Sequence, residues 1–299
     1  MRLEIFEKES KKKRISTDYH EIVIVLRVLL MMSYNWVPAF DHYWSKNESL
    51  GNRTTKKAIS RDRCKRLSAK MYFNSLEKVA NCRKQFYIEE VVNCLKLTFQ
   101  KFRSEAAFQS IDESVAKFKE RSLMKQYLPL KPIKRGIKIW VGSDSPTGYV
   151  YDLKIYAGKK TETTSGALGE RLVKNLARSL REKAVAVCFD RFFASAKLLN
   201  ELDYTAVRTL IKSRRSVQEF FEKLNREHSQ FRVNNEDTIV CRWQNTKDVL
   251  VISNCFSDGT RKDVPCPAMF QFYNANMGGV DLTDQIVGLY NFDRKSGKW

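Results

Sequence analysis

AVAVCFDRFFAS, residues 184–195, decides the fold. Its first six residues are apolar without alternation, the pattern of a strand covered on both faces, and the run ends on an acid, Asp190. Such a strand belongs to a sheet with helices on either side. Upstream, Leu168, Leu172, Val173, Leu176 and Leu180 share one face of a helix. Before that lie three β-rich runs, AAFQSIDESV (106–115), GIKIWVGSD (136–144) and YVYDLKIYAG (149–158), separated by turn signals of which SPTG (145–148) is the sharpest. Downstream, a helix is predicted over 195–202 and a strand over 204–211. The order is three strands, helix, strand, helix, strand, an α/β fold built on a mixed sheet with flanking helices.

On either side the pattern changes. Residues 212–265 read as an insertion, with a helix near 217–224 and a hairpin, DTIVCRWQ/DVLVISN, turned through 245–248. The first hundred residues read as helical. Asp18 and Glu21 form a capping-box-like pair before an apolar run that Pro38 ends, and Ser60 is placed to cap a segment carrying Arg61, Arg63, Lys65, Arg66 and Lys70. Ile88, Val91, Val92, Leu95, Phe99 and Phe102 have the spacing of a buried helical stripe. The expected domains are therefore 1–105 helical, 106–211 the first part of the α/β domain, 212–265 the insertion, and 266–299 the final helix of the α/β domain.

Composition points to nucleic acid. Lys and Arg number 54 against 34 Asp and Glu over 299 residues, a net charge of +20 spread along the chain. KKKR at 11–14 fits a nuclear import signal or a phosphate contact, although an isolated basic run is more often a solvated end. The apolar stretch 22–32 is broken by Arg27 and falls short of the roughly 20 residues that span a bilayer, so no membrane partner is expected. Seven cysteines form no CxxC pair and three histidines lie far apart, so zinc is not expected, and the odd, scattered cysteine count fits a reducing compartment.

Three acidic signatures follow in order: SIDES around Asp112, VCFDRFFAS around Asp190, and GGVDLTDQ around Asp281 and Asp284. Side chains alternate along a strand, so Asp112 and Glu113 face opposite ways and only one can enter a site beside Asp190. Asp281 and Asp284, three apart, share a helix face, and the GG before them permits close backbone approach. Each acid alone reads most simply as a turn former, cap or solvated face. Together they are what two-metal phosphoryl transfer requires, carboxylates gathered from separate elements. Lys117, Lys119, Arg121, Lys125, Lys131, Lys134 and Arg135, with Tyr127 among them, form a basic segment of the kind that tracks a phosphate backbone.

These signatures, with YLPLKPIKRGIKIW (127–140) and RKSGKW (294–299), make the chain similar to piggyBac-type transposases and the proteins domesticated from them, over about 19–299. The resemblance implies an RNase H-like catalytic domain interrupted by an insertion and preceded by a helical domain that dimerises and grips transposon ends. It selects Asp112, Asp190 and Asp281 as the ligands of two Mg²⁺ or Mn²⁺ ions, with Asp284 in support. It adds Arg61 and Lys65 as DNA-binding candidates on the N-terminal helices. It also implies cut-and-paste transposition at TTAA targets, transposon-end DNA as partner, a homodimer and a nuclear location.

The chain departs from the family at three places: Phe118-Lys119-Glu120-Arg121 where FxGR is usual, Leu130 where YIPNKP carries Asn, and Arg191 where the second acid is usually followed by Asn. The family's final helix runs on past the position of Trp299, usually into a cysteine-rich zinc module. Two expectations result: a transposase domain in a truncated copy, or a domesticated relative that binds DNA or a protein partner without catalysis.

Overall fold

A computed structural model describes residues 16–71, 73, 85–118, 121–158, 168–181, 185–193, 198–199, 201–202, 204–210, 223–233, 238–255 and 266–290. The chain divides into two compact units, one of 1–93 with 286–299 and the other of 94–285.

In the first unit, α1 (Tyr19–Tyr34) begins where the Asp18 carboxylate accepts the Glu21 N–H at 2.7 Å, the cap expected from sequence. Its buried face, Ile22, Val25, Val28 and Met32, packs with Tyr43, Ile59, Cys64 and Leu67. Two short helices follow, α2 (Arg53–Ala58) and α3 (Arg61–Lys70). Ser60 stands at the start of α3 but makes no side-chain cap bond, contrary to expectation. Arg63 grips both oxygens of Glu21 at 2.5 Å, which holds that carboxyl below the usual range.

The second unit is a nine-stranded sheet: β1 (Phe108–Lys117), β2 (Lys125–Tyr127), β3 (Arg135–Asp144), β4 (Val150–Ile155), β5 (Ala186–Phe189), β6 (Thr205–Leu210), β7 (Ser229–Val233), β8 (Ile239–Gln244) and β9 (Asp248–Ser253). The order is β3-β1-β5-β6-β9-β8-β7, with β2 and β4 both on the outer edge of β3. β1 runs antiparallel to β3 and parallel to β5, and β5 parallel to β6, the order and directions of an RNase H-like sheet. The predicted hairpin forms as β8 and β9, turned at 245–247, but it does not stand apart as a module. β9 pairs antiparallel with β6 through Val207↔Ser253 to Leu210↔Leu250, so β7–β9 prolong the main sheet. An edge strand left open beside β6 invites such pairing, and local sequence patterns do not reveal it. Six of the eight residues of the helix predicted at 217–224, and four of the eight of that predicted at 195–202, fall outside the described residues.

Both sheet faces are covered. Ile111, Val187, Phe189, Ala206, Leu210 and Ile252 pack with Leu172, Val173 and Leu176 of α5 (Leu168–Ala177). On the opposite face, Cys188, Val207, Cys241 and Val251 pack with Met269 and Phe270 of α6 (Ala268–Asn276). The last described helix is α7 (Gly279–Leu289). The stripe predicted on α4 (Phe86–Phe102) has no buried residue, and Leu95 and Phe102 are 42% and 69% exposed. Periodicity shows that apolar residues share a face, not that another element covers it. At its C-terminal end α4 is tied to the sheet: Gln100 donates to the Tyr151 carbonyl at 2.8 Å, and beyond the helix the buried Arg103 donates to Asp144 at 2.8 Å.

α7 starts in direct contact with β1 and β3. A Cβ at Gly279 would stand 2.5 Å from Ser110 Oγ and 2.9 Å from Ser143 Oγ, so only glycine fits. Those two buried hydroxyls bond each other at 3.0 Å. Thr283 Oγ1 donates to the Gly148 carbonyl at 2.7 Å, and Ser145 Oγ to the Asn276 carbonyl at 2.5 Å. Gly148 sits at φ +67° in the SPTG turn, where its N–H bonds the Asp144 carbonyl at 2.8 Å. Gly278 has nothing within 4 Å of a built Cβ. Gly279→Ala is therefore expected to cost about 1–3 kcal/mol through overpacking, lowering the melting temperature by several degrees, while Gly278→Ala stays within about 0.5 kcal/mol. Thermal melts of the two variants check this.

Candidate active site

The parallel pairings set a row of side chains. Ile111 is level with Phe189, and Phe189 with Arg208, so the next residues, Asp112, Asp190 and Thr209, are level across β1, β5 and β6. By alternation they share the face of Cys188 and Val207, the one covered by α6. Thr209 Oγ1 donates to Asp190 Oδ1 at 3.1 Å, and the Arg191 N–H donates to the same oxygen at 2.6 Å. Tyr273 of α6 is hydrogen-bonded to the Thr209 hydroxyl. Burial, together with the nearby charges of Asp190 and Asp112, keeps its phenol protonated.

Asp112 lies deep, its side chain 19% exposed. Burial pushes its carboxyl up to about 6; Lys131 and a hydrogen bond from the Glu113 backbone oppose the rise, and the charges of Asp190 and Glu113 add to it. Glu113 turns the other way and pairs with Lys138, whose ammonium lies 4.0 Å from the centre of the Trp140 ring.

α7 brings its acids to β1 two residues beyond Asp112. Ser114 Oγ donates to Asp284 Oδ1 at 2.5 Å. Asp284 is exposed like Asp281, but partial desolvation against β1 raises its carboxyl, Ser114 and Lys131 hold it back, and the charge of Asp281 raises it further. Asp281 itself is exposed, one turn earlier on the helix. The structure thus joins Asp112 with Asp190, and Asp284 with Ser114. Among the described residues, no three or more His, Cys, Asp or Glu side chains come together closely enough to hold a metal ion. Asp112 and Asp190 are two oxygen donors that could hold a hard divalent cation, and burial disfavours the Asp112 charge unless a cation stands beside it. Ser114, Thr209 and Tyr273 were not read from sequence. Ser114 and Thr209 could have been found, being two residues on from Asp112 and Val207 by strand alternation, whereas Tyr273 carries no local signal.

Of the basic candidates, Lys131 enters this site. Its Nζ donates to the Glu113 carbonyl at 3.1 Å and stands 3.9 Å from Asp112 Oδ2. Arg121, Lys134 and Arg135 are exposed, with the Arg135 guanidinium 5.5 Å from the Tyr127 ring centre. Lys117 is exposed at the end of β1 and Lys125 half-buried in β2, while Lys119 lies outside the described residues. In the other unit, Arg61 pairs with Asp62 at 2.9 Å and Lys65 with Asp41 at 2.5 Å. No described helix is long and apolar enough to cross a membrane.

Comparison with known proteins adds a family to this geometry. The family model described as Transposase IS4 matches residues 4–299. Human PiggyBac transposable element-derived protein 3 is 25% identical over 97% of this chain and 53% of its own length. Human PiggyBac transposable element-derived protein 2 is 24% identical over the same shares. The chain thus spans about half the length of these curated relatives. Among solved structures, a piggyBac transposase synaptic complex with hairpin DNA aligns with TM-score 0.85 and 25% identity, covering 98% of this chain and 64% of that one.

The Asp112 shift makes a pH prediction. Its carboxyl titrates near 6 when folded and near 4 when unfolded, so the native state binds the extra proton between those values and stability falls as pH rises through that window. Asp112→Asn removes the cost of the charged form. In EDTA at pH 7.5 it should be more stable than the parent by up to about 3 kcal/mol, the gap closing between pH 6 and 4. Thermal melts across pH 4–8 check this, and a variant that melts lower at pH 7.5 contradicts it.

Proposed function

The chain belongs to the Transposase IS4 family, with piggyBac-type relatives, and from that premise we propose metal-dependent cleavage and transfer of DNA strands at the Asp112–Asp190 row. What carries this is the pair of carboxylates that directly follow the paired positions Ile111 and Phe189 of two parallel strands, Asp112 driven toward neutrality by burial. Asp112 and Asp190 would hold a divalent ion, Mg²⁺ or Mn²⁺, and Asp281 would complete the set for two ions. Bound there, the metal would supply activation of an oxygen nucleophile and stabilisation of the leaving oxygen.

The chain's own groups do the rest. Thr209 and the Arg191 N–H fix one oxygen of Asp190 and leave the other for a ligand. Ser114 anchors Asp284, and through it the face of α7 that carries Asp281. Lys117, Lys119, Arg121, Lys125, Lys134 and Arg135 hold duplex phosphates, and Arg61 and Lys65 exchange their carboxylate partners for phosphate when DNA arrives. Double-stranded transposon ends, TTAA targets, a homodimeric assembly and a nuclear location complete the reading, supported by the piggyBac-type relatives and the DNA-bound complex.

A second reading has its own support. The three acids do not converge, and Arg191 and Glu120 replace residues usual in the family, which fits a domesticated relative that binds DNA or a protein partner without cutting.

A relaxation assay on supercoiled plasmid separates the two. With Mn²⁺ at low salt the chain should nick, and Asp112→Asn or Asp190→Asn should lose on the order of a hundredfold while still binding DNA. DNA binding without any nicking selects the second reading. Under either, duplex affinity should fall with salt at a log–log slope of roughly −5 for six phosphate contacts. A flat salt dependence removes DNA as the partner.

A further inference from the structure

Lys131 reaches the acids from the segment between β2 and β3. Its Nζ is 3.9 Å from Asp112 Oδ2 and 3.9 Å from Glu113 Oε1, and it donates a hydrogen bond to a neutral acceptor, the Glu113 carbonyl, at 3.1 Å. An ammonium 3.9 Å from two carboxylates is paired with both but locked to neither, and with the side chain 27% exposed a route to solvent stays open. The segment between β2 and β3 thus carries a cation beside the carboxylate assigned to the metal. A divalent ion on Asp112 would stand a few ångströms from this ammonium, and two such cations repel strongly where solvent is partly excluded.

We propose that Lys131 is a built-in counter-cation that competes with divalent metal for the acidic site and, once displaced, turns to a DNA phosphate, so that metal and DNA binding favour each other. This rests on reading Asp112 and Asp190 as the metal-holding pair. Metal-free, Lys131 offsets the charge of the half-buried Asp112 carboxylate. Metal-bound, it is released toward the phosphate backbone, since Glu113, its remaining neighbour in the site, is already paired with Lys138. By linkage the coupling is reciprocal.

The test measures binding, not turnover. Mn²⁺ is titrated calorimetrically into DNA-free protein, comparing the parent with Lys131→Met, Lys131→Gln and Lys131→Arg, each first shown to melt cooperatively. Lys131→Met and Lys131→Gln should bind Mn²⁺ roughly tenfold more tightly, since the repulsion is gone, and Lys131→Arg should bind as the parent does. A merely structural lysine would weaken binding when removed. In the second arm, Ca²⁺ is added to anisotropy titrations of a short duplex. The parent should gain roughly tenfold in DNA affinity and Lys131→Met should gain little. Equal or weaker Mn²⁺ binding by both neutral variants, or no gain from Ca²⁺ in the parent, overturns this inference while leaving the metal site intact. If neither the parent nor the neutral variants bind Mn²⁺, the metal reading falls, and the inference with it.

Discussion

The seating of α7 on β1 and β3 governs everything the site can do. How near the helix acids stand to the strand depends on how closely the two backbones approach, and here the floor is two serines under a glycine. The two buried hydroxyls hydrogen-bond each other at 3.0 Å, which offsets the cost of taking them out of water. The closeness also explains why α7 is fixed at several points, through Thr283, through Asp284, and through Ser145 below the end of α6.

The second governing feature is a buried charge that the fold does not fully compensate. Asp112 lies on a covered face beside Asp190, with Lys131 at ion-pair distance and no closer. Elsewhere the chain treats buried charge differently. Arg103, whose side chain is 0% exposed, donates to Asp144 at 2.8 Å, lies 3.4 Å from Glu105 and packs on the Tyr151 ring at 4.2 Å. The contrast separates a charge paired at hydrogen-bond distance from a carboxylate whose nearest cation stands 3.9 Å away.

Much of this could be read in the residues. AVAVCFD announced a strand covered on both faces and ending in an acid, and the pairing of β5 with β1 on one side and β6 on the other follows that reading. The doublet at 278–279 signalled close approach, although only Gly279 needs it. What escaped was non-local. No pattern within DTIVCRWQ or DVLVISN tells whether the hairpin stands alone or joins β6, because the deciding bonds lie with a strand about 40 residues earlier in the chain. The stripe on α4 is true to its spacing yet nowhere fully buried, since spacing speaks of one helix and burial of two elements. Tyr273 reaches the site only because α6 crosses above Thr209.

The SPTG turn between β3 and β4 acquires an unusual status from its bond to Thr283. Hairpin turns are ordinarily where a chain absorbs insertions and deletions without consequence. This one is a datum for an element more than a hundred residues away, because the carbonyl of Gly148 fixes how far α7 advances and how it is rotated. One residue gained or lost in the turn moves that reference point. If α7 followed by one residue, it would slide about 1.5 Å and rotate about 100°, enough to carry Asp284 off Ser114 and turn the acids away from the strand. Length variation among descendants of this chain should therefore collect in its other loops, and four residues that look like surface connective tissue should keep their count.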